Sequence, residues 1–386
     1  MKKFLIGGSP CTHWSIAQSK NRETTAEGIG WELFKNYLIA KEKFKPDFFL
    51  YENNKSAAQA IKDQIAAELE APLQYINSAL VSAQQRHRFY VHNFGNVPQP
   101  EDREILLKDI IEHGIPWIDK SYALTTRCVG AIPENTIKKH RHTMIAEPIL
   151  LNTTAEGKAQ CLRATCYKDG IRNLVGNNVD KRTCVATPIK LGEINGGGQG
   201  NRIYSINGKA ITLAAGSGGM GSHTGLYAIP VEEGKTQKIY EVKNGLININ
   251  GNDFPIKLQD GLYAIRKLTV TEAARLQTMP DDYCRAVSDA QAYKGLGNGW
   301  TAEVIIHLLS YALKDIPKDE EIIVLSMYDG IGTGRYCFDR LGYHNIKYYA
   351  YEIDKYAMQI ANSNYADIIQ CGDAFQVREE GWEVEQ

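Results

Sequence analysis

Short, wholly apolar runs alternate with amphipathic stretches at both ends of the chain, and the middle third lacks that rhythm. Residues 4–6 predict a strand, 31–42 an amphipathic helix, 48–51 a strand, 57–70 a helix and 88–92 another strand. Strand runs that are apolar on both faces belong to sheets covered by helices on both sides, so this part predicts a layered α/β unit with a mostly parallel sheet. From about Gly95 the pattern dissolves into Gly-, Asn- and Thr-rich sequence with short β-prone pieces, which lasts to about Gly261. Helical spacing returns at 271–277, where Thr269 or Thr271 can cap and Glu272 favours the first turn, and again at 301–313. Residues 314–321 are polar, carry Pro317 and read as a linker. Alternation then resumes, with strands at 322–326, 347–351 and 368–370 around helices at 336–341 and 355–363. The expected organisation is a doubly wound sheet domain in two pieces, 1–95 and 266–386, interrupted by an irregular β-rich domain at 96–265.

Composition adds little to this picture, but the distribution of charge does. The 386 residues carry a net charge of −1, yet residues 138–209 hold 12 Lys and Arg against 5 acids. That excess suits either a polyanion or a solvated basic face. The eight cysteines include no Cys-x-x-Cys pair, which argues against a zinc ribbon or a thioredoxin-type site and for a reducing compartment. The apolar stretch after Lys2-Lys3 ends at Gly7, too short for a signal-peptide core, and no run approaches the length of a membrane span. A cytoplasmic protein with no membrane partner and no bound metal is expected.

Chemistry-bearing residues gather at the ends of predicted strands. The turn from Tyr328 to Gly334 (Tyr-Asp-Gly-Ile-Gly-Thr-Gly) lies between a buried strand and a helix start, where little side-chain bulk lets amides approach a ligand. It is neither Gly-x-Gly-x-x-Gly nor a P-loop. Glu352 and Asp373 end the next two strands, where acids of a doubly wound sheet reach a nucleoside, although either alone could be a solvated end or a cap. Cys11 follows the first strand after Gly7-Gly8-Ser9-Pro10, on the ligand side of an open α/β sheet. Glu52-Asn53-Asn54 ends the following strand and brings a carboxyl toward that thiol. Arg86 and Arg88, two residues apart, fall on one face of an extended segment.

Together these segments resemble the DNA cytosine-5 methyltransferases. Gly7 to Cys11 is similar to the family's nucleophile motif, Glu52-Asn53 to its Glu-Asn motif and Gln84-x-Arg86-x-Arg88 to its Gln-x-Arg-x-Arg motif. Leu268 to Asp281 resembles the penultimate motif, Gly297-Asn298 the last, and the 328–334 turn, Glu352 and Asp373 the cofactor motifs. The resemblance implies a Rossmann-like class I methyltransferase fold with S-adenosyl-L-methionine as cofactor. Cys11, Glu52, Arg86 and Arg88 would be catalytic. The cofactor would be held by Tyr328, Asp329, Gly330, Gly332, Gly334, Glu352, Ile353 and Asp373, with Pro10, Asn298 and Trp300. Double-stranded DNA would be the partner, met by Ser15, Lys20 and Arg22 after the nucleophile. Arg202, Asn207 and Thr224 would meet it from the 96–265 domain, which would recognise the target. A cognate restriction endonuclease would accompany a modification enzyme of a phage or bacterial system. An RNA-directed relative and a silent DNA-binding regulator are the competing readings.

Several positions depart from the family pattern. Asn54 stands where valine is usual, Thr12-His13-Trp14 replaces Gln-Gly-Phe, and Gly299-Trp300 replaces Ser-Val. Ser9-Pro10-Cys11 and Ser326 to Gly330 look more like the animal de novo type. The larger departure is order: the cofactor motifs follow the last motif instead of preceding the first. The chain therefore looks circularly permuted, with new termini in the crossover after the Asp373 strand.

Overall fold

The computed structural model describes residues 1–15, 22–126, 130–148, 190–193, 202–205, 226–232, 235–237, 239–249 and 251–382. Among these the chain runs through β1 (Lys2–Gly7), α1 (Gly28–Phe44), β2 (Phe48–Asn54), α2 (Gln59–Leu69), β3 (Leu73–Asn77), β4 (Gln84–Gln85) and β5 (His87–His92). It continues through β6 (Ser121–Tyr122), α3 (Pro133–Lys139) and β7 (Met144–Pro148). Next come β8 (Lys190–Glu193), β9 (Arg202–Ser205), β10 (Leu226–Glu232), β11 (Lys235–Gln237), β12 (Ile239–Lys243), β13 (Leu246–Ile249), β14 (Asn252–Pro255) and β15 (Gly261–Lys267). Three helices, α4 (Val270–Leu276), α5 (Asp289–Asn298) and α6 (Ala302–Ala312), lead to β16 (Ile322–Met327), α7 (Thr333–Arg340), β17 (Ile346–Tyr351), α8 (Lys355–Asn364) and β18 (Ile368–Gly372).

Two compact units result. One comprises Met1–Ile145 with Lys267–Gln386, the other Ala146–Arg266. The first is built on a seven-stranded sheet in the order β18-β17-β16-β1-β2-β5-β3. Only β5 runs against the others, paired antiparallel to both β2 and β3. Successive residues of β1 feed opposite faces: Phe4 and Ile6 pack under α4 to α8, while Leu5 packs under α1 and α2. Both faces are thus dry, which is why β1 and β16 read as continuous apolar runs. Helix α1 presents Trp31, Phe34, Tyr37, Ala40 and Phe44 to the sheet. Burying each of its larger side chains contributes about 2 kcal/mol.

The start of the second unit corrects the sequence reading, which placed a domain boundary at 96. Residues 97–145 belong to the first unit because Val97, Leu107 and Leu124 are buried in the core under α4 to α8. The stretch 314–321 is likewise no loose linker. Ile316 packs against that core, and the Tyr343 hydroxyl donates to the carbonyls of Leu313 (2.9 Å) and Ile316 (2.7 Å). Among the elements that escaped the sequence pattern, two stand out. Edge strand β3 mixes polar and apolar residues, and α5 carries Gly295 and Gly297. A Cβ at Gly297 would stand 2.6 Å from the Thr125 carbonyl carbon, so close packing explains glycines that lower helix propensity.

Of the strands from β7 to β15, one sheet has the order β11-β10-β9-β8 and another the order β14-β13-β12-β15-β7. Alternate residues of β12 and β13 are buried, among them Tyr240, Val242, Ile247 and Ile249, as expected of strands with one wet face. Lys20, Asn207 and Thr224 lie outside the described residues, and Arg202 is described only as the backbone start of β9.

Candidate active site

Strands β18, β17, β16, β1 and β2 all point the same way, so the segments that follow them share one rim. Winding reverses between β16 and β1, and at such a switch point open α/β sheets bind their ligands. A cavity of about 460 Å³ opens there, bordered by Cys11, Glu52, Arg86 and Arg88 on one side and by Tyr328, Gly330, Glu352 and Asp373 on the other. The two glycine-bearing motifs are neighbours in space: Gly7 pairs with Met327 in the β1–β16 ladder, and a Cβ on Gly7 would lie 2.9 Å from Met327 Cβ. A Cβ on Gly8 would lie 2.6 Å from the Glu52 carbonyl oxygen. Gly7-Gly8 is what lets the nucleophile segment pass between the two.

Cys11 opens a single 3-10 turn, Cys11–His13, behind Pro10. Its carbonyl accepts the amides of Trp14 (3.1 Å) and Ser15 (2.9 Å). Trp14 is fully buried and donates its indole N–H to Glu23 (3.0 Å), which also accepts the Gly30 amide (3.1 Å). The Arg22 guanidinium donates to the Trp14 carbonyl (3.1 Å) and to the Ser56 carbonyl, so this side chain fastens the segment after Cys11 within the protein.

Glu52 lies inside β2, not beyond it. One carboxylate oxygen is met by Arg88 Nε (2.9 Å) and the other by the Trp300 indole N–H (2.9 Å), leaving the side chain 12% exposed. Asn53 faces away from solvent and donates to the Ser9 carbonyl (2.9 Å), while Ser9 and Tyr51 share a hydroxyl hydrogen bond (2.7 Å). The Glu-Asn pair thus divides its work, Glu52 facing the cavity and Asn53 holding the loop that carries Cys11. The two arginines differ as well. Arg86 lies between β4 and β5, is buried, and donates to the carbonyls of Leu124 (3.1 Å), Gly297 (3.2 Å) and Gly299 (2.8 Å). Burial, assisted by the Arg88 charge, pushes its guanidinium down to about 9. It ties the β5 end to the turn before α6, and Arg88 is the one that grips Glu52.

Across the cavity Tyr328 adopts a left-handed backbone (φ 60°), a strained conformation for a bulky residue. Its hydroxyl compensates by donating to the Leu33 carbonyl (2.7 Å) and accepting from Asn36 (3.2 Å), which in turn accepts from Arg378 (2.7 Å). Asp329 accepts hydroxyl hydrogen bonds from Ser326 and Tyr348 (both 2.7 Å) through one oxygen. Burial raises its carboxyl to about 6. The three glycines serve three ends. Gly330 (φ 66°) faces open space, Gly332 (φ 79°) caps α7, and Gly334 lets α7 approach Ile6 and Tyr348.

Glu352 accepts the amides of Gly330 (2.8 Å), Ile353 (2.9 Å) and Asp354 (2.8 Å), and Ile353 is 71% exposed at the rim. Asp373 caps the following turn through the Phe375 amide (2.9 Å) while lining the cavity. An open glycine, two rim carboxylates and an exposed apolar side chain fit a nucleoside-bearing ligand. Pro10 and Asn298 also border the cavity, and Trp300 does so while bonded to Glu52. Sequence reasoning missed Gln291 and Lys294, which reach the cavity from α5, and Asn36 of α1, which holds the Tyr328 hydroxyl from behind. Lys294 pairs with Asp354 there. Among the described residues no group of His, Cys, Asp and Glu could hold a metal ion, and no helix is long and apolar enough to cross a membrane.

A model of the C-5 cytosine-specific DNA methylase family matches residues 1–314, from the first strand through α6. The glycine turn and the β17 and β18 ends lie beyond that match but in the same sheet. The chain is similar to the type II methyltransferase M.HhaI of Haemophilus parahaemolyticus, with 33% identity over 145 residues, 38% of this chain and 33% of that protein. It is also similar to the orphan methyltransferase M.Rho11sI of Bacillus phage rho11s, with 25% identity over 249 residues, 58% of this chain and 47% of that protein. The matches therefore span about a third and about half the length of these curated relatives. The chain belongs to the C-5 cytosine-specific DNA methylase family.

Proposed function

We propose that the protein methylates C5 of cytosine in duplex DNA with S-adenosyl-L-methionine as donor. The observation that carries this reading is that Cys11, the Glu52–Arg88 pair and the Gly330–Glu352 turn border one cavity at one sheet rim. Tyr328, Gly330, Glu352, Ile353 and Asp373 would hold the cofactor, which supplies an electrophilic methyl group.

Cytosine C5 is weakly nucleophilic, and the residues on the other side answer that. The Cys11 thiolate would bond to C6, pushing the electron pair of the C5–C6 bond toward C5, with Glu52 at N3 and the exocyclic amine accommodating the charge. After C5 takes the methyl group, loss of the C5 proton and breaking of the S–C6 bond return the thiolate and the aromatic ring. Arg88 and Trp300 orient Glu52 for this. A cavity at a sheet rim admits a base only when it has left the helical stack, so the cytosine would be flipped.

The 146–266 unit would recognise the target, with Arg202, Asn207 and Thr224 as candidate base contacts and Lys20 and Ser15 meeting DNA near the nucleophile. The order of the motifs along the chain reads as a circular permutation of the family arrangement, and the pairing of β16 beside β1 is compatible with it. A role in a phage or bacterial modification system, in the cytoplasm and beside a cognate endonuclease, is part of the same proposal.

Duplex DNA of varied sequence carrying 5-fluorocytosine tests it, because fluorine at C5 blocks the release step. A covalent, cofactor-dependent protein–DNA adduct is expected with the intact protein and none with Cys11→Ala. Failure of the intact protein to form it, despite binding S-adenosylhomocysteine, refutes the proposal.

A further inference from the structure

Beyond Arg88, the rim of the sheet carries positive charge that the reaction does not use. Lys55 directly follows β2 and is exposed, and its ammonium stands 5.7 Å from the centre of the Tyr75 ring. Lys62 reaches the same ring from α2 at 5.4 Å, and its ammonium donates to the Lys55 carbonyl (3.3 Å). His87, exposed at the start of β5, has its imidazole pushed down by partial burial and by the charges of Lys55 and Arg88. The registers Asn54↔Arg88 and Asn77↔His87 place these groups at the rim that carries Cys11 and Glu52. Among the described residues neither lysine has a carboxylate within ion-pair distance, and Glu52 is already held by Arg88. Asp63, on α2, is bonded to Gln59.

Two ammoniums gathered on one partly exposed ring are held there by cation–π attraction, which leaves their positive charge uncompensated. A flexible, anionic chain laid along the rim would complete the field. We propose that Lys55, Lys62, Tyr75 and His87 form a docking edge for the sugar-phosphate backbone flanking the flipped base. Lys55 and His87 meet phosphates directly, Tyr75 supports the sugar, and Lys62 adds charge from behind the ring. The inference rests on the DNA reading above and adds to it the path of the strand, from the cavity mouth across β5 toward edge strand β3.

The test is equilibrium binding of a fluorescent DNA duplex, with S-adenosylhomocysteine present, across a range of salt. Lys55→Ala should weaken binding roughly threefold to tenfold near 0.1 M salt and flatten the slope of log affinity against log salt by about 1. Lys55→Ala/His87→Gln should weaken it further, with calorimetric affinity for S-adenosylhomocysteine retained as the check on folding. Lys314→Ala, before β16 at the opposite end of the sheet, should leave the slope as in the unaltered protein. Unchanged slopes in the Lys55 variants, or an equal loss in Lys314→Ala, would overturn the docking edge while leaving the DNA reading intact. An unaltered protein that neither binds duplex nor forms the 5-fluorocytosine adduct would bring down both.

Discussion

Trp300→Phe separates two roles that one residue could fill. Sequence resemblance assigns Trp300 to the cofactor, whereas the structure has its indole N–H on one oxygen of Glu52, 2.9 Å away, opposite Arg88 at 2.9 Å on the other. Phenylalanine keeps an aromatic ring at the cavity wall and removes that donor together with part of the indole's bulk. A hydrogen bond to a charged group is worth about 1.5–3 kcal/mol net. Water at the cavity mouth will replace part of it, because Glu52 keeps 12% of its side chain exposed. A loss near the lower limit, about 1.5 kcal/mol, corresponds to roughly a tenfold fall in kcat. Single-turnover methyl transfer to DNA reads this directly, and calorimetry with S-adenosylhomocysteine reads the other role. In a Glu52→Gln background the same substitution should have little further effect, since residues acting through one another are not additive. Unchanged kcat together with weakened cofactor binding would refute the Glu52 role and restore the sequence assignment.

Two titrating groups predict opposite pH trends. Asp329 has its folded carboxyl raised to about 6, so it contributes stability at low pH that is lost as pH rises through that value. The midpoint difference between the unaltered protein and Asp329→Asn should grow in favour of the former as pH falls from 7 to 5, and parallel melting curves would contradict this. His92, pushed down to about 4 by burial, accepts the Phe94 amide at Nδ1 and therefore donates from Nε2 to Gln74. It should stay neutral by nitrogen NMR through pH 6 and withdraw stability as pH falls through about 6.5; a ring protonated at pH 6 would refute that tautomer. Gly297→Ala sets a Cβ 2.6 Å from backbone at Thr125, where neither partner can easily yield. A destabilisation of about 1–3 kcal/mol, seen as a lowered denaturation midpoint, is expected.

The sheet was legible because its strands are buried on both faces and so spell continuous apolar runs, with ligand-facing residues just after them. Cys11, Tyr328, Glu352 and Asp373 all follow that rule and all border the cavity. What escaped were features whose cause lies elsewhere in the chain. The glycines of α5 answer to Thr125 and Ile331, not to helix propensity. Arg86 and Arg88 look equivalent two residues apart, yet one is satisfied by three carbonyls from 124, 297 and 299 and the other by a carboxylate at 52. A local pattern names such residues but cannot name their partners.

Chain order is the extreme case of the same principle. The nucleophile segment and the glycine turn lie more than three hundred residues apart in sequence, yet Gly7 and Met327 are paired across one ladder. Nothing in that ladder depends on which strand is made first. What it requires is that β16 enter the sheet in register beside β1, and the 313–321 segment secures this through the Tyr343 hydroxyl on Leu313 and Ile316 and the Lys2 amide on the Glu321 carbonyl (2.8 Å). A polar stretch that reads as a spacer is therefore the joint on which the site depends. Tyr343→Phe, which removes both anchoring hydrogen bonds and keeps the buried ring, should lower cofactor affinity and Cys11 adduct formation together. A loss confined to one of them would show that the two halves of the site do not share this joint.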